Sequence, residues 1–234
     1  MLRNTGRAAL KLAVAPGVLL LAGALGSMLT TAAQATPISY TLNQNGCSSG
    51  CGSGPYGTVT VDQDAGNANA VDVSVTLNAG YFFRHSNDAN HHAFAFNLAG
   101  STPVTFSNIT SDAFSVASGA SFNDSPFGDF EYALECGGAN CKNGYNNGNN
   151  PVSLSFVITP ASGALTANDF ILSTGGSTAV RFAADIVTTD GYTGNVGAIG
   201  PNGGLGVAAV PEPASMLLLG AGLIGMGFSR RKPV

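Results

Sequence analysis

The sequence predicts an all-β protein: an antiparallel, jelly-roll-like β-sandwich of about eight to ten strands, flanked by an N-terminal signal helix and a short C-terminal transmembrane helix. Three observations predict it. Apolar residues recur at every second position in many short runs, the period of a strand with one buried face. Clusters of Gly, Asn, Asp, Ser and Pro separate those runs, as turns require. The composition also opposes helices, since 32 of 234 residues are Gly and only 9% are charged, against roughly 25% in ordinary soluble domains.

At the N-terminus, Arg3, Arg7 and Lys11 precede an apolar run from about Leu12 to Leu29, and Ala33-Gln34-Ala35 supplies small residues at a cleavage spacing. This is the pattern of a secretory signal peptide over residues 1–35, recognised at Ala33 and Ala35 and cut after Ala35. A permanent N-terminal anchor is the other reading, opposed by Pro16 and the glycines within the run. Without an Arg-Arg pair the expected route is the Sec translocon.

Residues 36–209 then form one domain of 174 residues, enough to bury roughly two-thirds of its unfolded surface. Its bases are Arg84, Lys142 and Arg181 against twelve acids, a net charge of −9, whereas the whole chain carries −4 because six of nine bases sit in the terminal segments. Nucleic acid and anionic lipid are poor partners for such a surface. Cations, neutral glycans and other proteins suit it. All four cysteines lie here, Cys47 with Cys51 and Cys136 with Cys141. An even number in an exported chain points to disulfides, and the Gly-rich intervening segments favour the two local pairs among three pairings. A four-thiolate zinc site is the rival arrangement.

The strands follow in order. Val59 and Val61, then Val71, Val73, Val75 and Leu77, then Phe94, Phe96 and Leu98 alternate with polar or small residues. Val104 and Phe106; Phe130, Tyr132 and Leu134; Val152, Leu154, Phe156 and Ile158; and Val180, Phe182, Ala184 and Ile186 repeat the pattern, each set placed on one inward face. Only about Leu165 to Phe170 looks briefly helical. Cys136 to Pro151 is too polar and Gly-rich for a strand and reads as an exposed loop.

Two clusters could hold metal. His85, Asp88 and His91 lie three apart in a loop containing every histidine, a donor set for zinc or copper. The bland reading is a polar inter-strand loop with one imidazole bonded to nearby backbone. Asp62 and Asp64 open a turn resembling the start of a calcium loop, although Val73 occupies the twelfth position and excludes an EF-hand. Calcium is the one cofactor the acidic turn suggests; Asx-turn chemistry is the commoner use of such residues. Enzyme motifs are absent: there is no nucleophile elbow, P-loop or His-Glu-x-x-His, and Asp129, Glu131 and Glu135 read as a solvated strand face. The expectation is a protein without catalytic activity. Tyr56, Tyr81, Tyr145 and Tyr192 stand near loops, where they could stack on pyranose rings.

At the other end, Val210-Pro211-Glu212-Pro213 precedes an uncharged stretch from Ala214 to Ser229 and a basic stop at Arg230, Arg231 and Lys232. Sixteen helical residues would span about 24 Å, short of a roughly 30 Å hydrocarbon core, with the basic end cytoplasmic. Residues 210–234 closely resemble the PEP-CTERM sorting signal of Gram-negative bacteria. The resemblance implies transient inner-membrane anchoring and recognition by an exosortase, a membrane cysteine transpeptidase, near Val210 to Pro213. It further implies release or transfer of the domain to the cell surface or an extracellular polysaccharide matrix, as in biofilm. A glycan- or calcium-binding secreted module and a secreted hydrolase are the alternative functions.

Overall fold

The computed structural model describes residues 36–84, 91–100, 103–137 and 141–202. The signal segment 1–35 and the tail 210–234 lie outside the described residues, among which no helix is long and apolar enough to cross a membrane. In chain order the strands are β1 (Ile38–Leu42), β2 (Gln44–Asn45), β3 (Gly57–Gln63), β4 (Val71–Leu77), β5 (Tyr81–Phe83), β6 (Phe94–Leu98), β7 (Val104–Ser107) and β8 (Phe114–Val116). They continue with β9 (Phe122–Asn123), β10 (Gly128–Phe130), β11 (Tyr132–Cys136), β12 (Ser153–Pro160), β13 (Phe170–Ile171), β14 (Thr174–Gly175), β15 (Phe182–Thr188) and β16 (Thr193–Ala198). Of these sixteen described strands, nine run four residues or longer and seven are pieces of two or three, so the alternating runs correspond to the long strands. The brief helical stretch is the 3-10 turn Ala167–Asp169, opened by a capping box between Thr166 and Asp169.

Two antiparallel sheets face each other. One has the order β1-β3-β4-β12-β7, the other β2-β16-β15-β6-β11-β8, with β5 added to β15 and β13 to β6. Val59, Val61, Val73, Val75 and Phe156 from the first sheet and Phe94, Phe96, Phe182 and Ile186 from the second share one buried cluster. Phe156 bridges the layers, its ring centroid 6.1 Å from Phe94 and 6.0 Å from Phe96, while Phe94 stacks on Phe182 at 5.8 Å. Pairing two half-polar sheets in this way is the physical reason the alternation predicts a sandwich.

The second sheet is also covered on its outer face. A small sheet of order β14-β10-β9 lies there, over a separate buried cluster of Ala95, Phe122, Phe127, Phe130, Ala133, Val180 and Ala183. Consequently every residue of β6 and β15 is buried, unlike a strand with one wet face. Two expectations are corrected here. Phe130 faces the outer cluster while Tyr132 and Leu134 face the inner one, and Val180 separates likewise from Phe182, Ala184 and Ile186. In both places the backbone bends between the two sets, at Glu131 and Arg181, as it passes from the covering layer into the main sheet. Close approach within that layer depends on Gly128, which has φ +100°, and where a Cβ would collide with the Thr174 carbonyl oxygen.

Candidate functional site

Between the outer face of the second sheet and its covering layer lies the main ionic cluster of the described residues. Asp185 sits mid-strand on β15, on the opposite face from its inward neighbours Ala184 and Ile186, and is fully buried. Arg84, just after β5, places Nε 2.5 Å from Asp185 Oδ2, and His91 Nδ1 lies 3.8 Å from Oδ1. The adjacent His92 turns toward the covering layer. Its backbone N–H donates to Asp124 Oδ1 at 2.6 Å, its ring Nδ1 lies 3.3 Å from the same oxygen, and its Nε2 lies 3.5 Å from Glu135 Oε1. Asp124 belongs to the β9–β10 turn, whose Ser125 carbonyl also accepts from Asn195 Nδ2 at 2.8 Å. The cluster therefore ties that turn to β6, β11 and β16.

Burial acts on both kinds of group. For His92 it disfavours the charged ring, but the hydrogen bond and charge of Asp124, with Glu135 and Asp185 nearby, outweigh it and hold the imidazole above its ordinary value. For Asp185 burial pushes the carboxyl up to about 6, although the Arg84 guanidinium and its hydrogen bond pull the other way. With a carboxylate at each ring nitrogen, His92 is arranged as a charged staple. Beside it opens a cleft of about 490 Å³ lined by His92, Glu135, Phe122 and the serines Ser115, Ser118 and Ser121.

The sequence-predicted residues fall in several places. His85 and Asp88 lie outside the described residues; His91 is drawn to Asp185. Asp62 and Asp64 adjoin Asp72, which stands opposite Asp62 in the β3–β4 register. Burial first, then the charges of Asp64 and Asp62 and a hydrogen bond with Asp64, raise the Asp72 carboxyl. Asp64 Oδ1 accepts from the Gly66 N–H at 3.0 Å, an Asx turn. Among the described residues, no group of three or more His, Cys, Asp or Glu side chains is arranged to hold a metal ion. Both local disulfides form, Cys47–Cys51 and Cys136–Cys141, so these four thiols are not free for zinc. Of the three acids read as a wet strand face, Asp129 is exposed and bonds Asn123 at 2.8 Å, but Glu135 is half-buried against His92.

His92, Asp124, Asp185 and Arg84 were not legible as a cluster. The available signal was Asp185, a charge inside the otherwise apolar run Phe182–Val187, which a covered face must neutralise.

Residues 209–232 match the PEP-CTERM protein-sorting motif. Comparison with curated proteins and with solved structures finds no match to this chain. The motif covers the tail and identifies the chain as an exosortase-targeted protein, exported and held transiently at the membrane before cleavage.

Proposed function

We propose that the domain between the signal segment and the sorting motif is a non-enzymatic protein of the cell surface or extracellular polysaccharide matrix, where it associates with neutral glycan. The observation that carries this reading is the sorting motif at residues 209–232. The Sec translocon delivers the chain across the inner membrane, the uncharged stretch and the stop of Arg230, Arg231 and Lys232 hold it, and exosortase acts near Pro211-Glu212-Pro213. The surface chemistry supports a neutral glycan over an anionic partner, because the domain has three bases and twelve acids and is rich in Ser, Thr, Asn and Gly.

Two measurements test it. Substituting Glu212→Ala with Pro213→Ala leaves a full-length, membrane-retained form; normal processing of that variant removes the sorting step. The processed protein, purified from its producing bacterium, co-sediments with that bacterium's exopolysaccharide. Adding calcium or a chelator tests whether Asp62, Asp64 and Asp72 contribute through a cation, and shortening of the polymer would replace the binding role with hydrolysis.

A further inference from the structure

The strand registers give the domain two unlike poles. Ile38 of β1 stands opposite Val61 of β3, and Gln63 opposite Val71, which pairs with Ile158 of β12; these residues mark one pole. The segment after β16 returns to that pole, where Tyr40 bridges Pro201 in antiparallel fashion and the Asn202 N–H donates to the Ser39 carbonyl at 2.7 Å. The chain thus enters β1 and leaves toward the sorting motif side by side. Six residues separate Asn202 from the motif's first residue at 209, a reach of at most about 25 Å. β12, eight residues long, separates the poles by about 26 Å. The opposite pole therefore lies a full strand length from the point where the described chain leaves toward the motif.

That opposite pole holds four of the six tyrosines, Tyr56, Tyr81, Tyr145 and Tyr192. Tyr81 starts β5, packs edge-on against Tyr56 at 5.2 Å, and donates its hydroxyl to the Cys51 carbonyl at 3.1 Å. Tyr145 lies 5.3 Å from Phe82, the next residue of β5. Tyr192 precedes β16 and lies directly over Gly50, inside the Cys47–Cys51 loop. Tyr145 and Tyr192 are 37% and 47% exposed, so each keeps part of its surface in contact with solvent. Asn143, Asn147 and Asn149 stand exposed beside Tyr145, and buried Asn150 anchors their loop by donating to the Phe83 carbonyl at 3.0 Å.

Both disulfides are at this pole, one beneath Tyr192 and the other just before the Tyr145 loop. They close loops with sequence separations of only 4 and 5, where a crosslink contributes least to global stability. Their placement instead holds the aromatic loops in one arrangement, which lowers the ordering cost of binding. Among the described residues 46–56, 78–84, 136–137, 141–151 and 188–193, the exposed charges are Lys142 and Asp190. Nearly neutral aromatic faces beside amide donors and acceptors suit the C–H faces and hydroxyls of a pyranose.

We propose that the tyrosine-bearing pole opposite the sorting tail, built on Tyr145 and Tyr192 and held by the two short disulfides, is the contact surface for a neutral polysaccharide. This rests on the glycan reading above and assigns it a location. The test uses the processed protein and its producing bacterium's exopolysaccharide, split by anion exchange into neutral and acidic fractions and immobilised separately. Tyr145→Ala and Tyr192→Ala are made singly and together, with the unfolding midpoint recorded for each. The expected result is binding to the neutral fraction, weakened at least tenfold in the double variant with an unchanged midpoint, and weakened also in Cys47→Ser with Cys51→Ser. Wild-type binding that the tyrosine variants leave intact overturns the assignment of this pole while sparing the glycan reading. Binding only to the acidic fraction overturns the neutral ligand, and binding to neither removes both readings.

Discussion

The two faces of the second sheet are both buried, yet they are built differently. The inner face packs Phe94, Phe96, Phe182 and Ile186 against the first sheet in an apolar cluster. The outer face offers Ala95, Ala133 and Ala183 to Phe122, Phe127 and Phe130, and beside them places Asp185 and His92 with their partners. The lesson is that inner cohesion rests on area removed from water, which is indifferent to pH, whereas the outer layer also contains buried titratable groups, Asp185 and His92, that hold their protons more tightly in the fold.

Deleting the inner bridge gives the largest expected effect. Phe156→Ala empties the contact between the sheets and should cost about 3–5 kcal/mol, seen as one cooperative shift of the denaturant midpoint for the whole domain. A loss under 1 kcal/mol would mean that the sheets do not depend on this ring.

The second prediction uses acid rather than mutation. Asp185 holds its proton more tightly folded than unfolded, because its carboxyl moves from 3.8 to about 6. The stabilisation from this group is complete below the unfolded value and is lost as pH rises through about 6. Stability should fall by on the order of 3 kcal/mol across that window, and Asp185→Asn should flatten this part of the profile. An Asp185→Asn profile as steep as the wild type would assign the pH dependence elsewhere.

Third, Phe130→Ala should cost about 3 kcal/mol, the lower end for a Phe deletion because the thin covering layer can relax. Amide exchange distinguishes the faces: protection should drop in β9, β10 and β14 while β3, β4 and β12 keep theirs. Uniform loss across both sheets would make the two clusters one cooperative core.

Alternation made the sandwich legible because a strand exposes one face in two directions only, and Val71–Leu77 shows it plainly with four buried residues and three that are not. It could not reveal the covering layer. Period two reports that a side chain is buried and not which layer buries it, so Phe130 and Tyr132 look alike until the bend at Glu131 separates them. The readable trace was alanine at two outward positions, Ala95 and Ala183, where a wet face would carry Ser or Thr. The local disulfides were legible from spacing and the exported context. The ionic cluster was not, because its members come from five separated segments, and only folding brings Arg84, His92, Asp124, Glu135 and Asp185 together.

The smallest effect isolates the staple itself. His92→Gln keeps a hydrogen-bonding side chain but removes the charge placed between Asp124 and Glu135. The imidazole is held above its ordinary 6.5 in the fold, so it stabilises fully below that value and loses its contribution as pH rises through the folded value. Near pH 6 the variant should lose about 1–2 kcal/mol, with faster amide exchange at Phe127, whose N–H donates to the Asp124 carbonyl within the stapled turn. Well above the folded value the difference should shrink, since the wild-type ring is then neutral too. A deficit that stays constant from pH 6 to pH 9 would show that His92 acts by shape, and the contrast between an apolar inner face and an ionically held outer one would then rest on Asp185 and Arg84 alone.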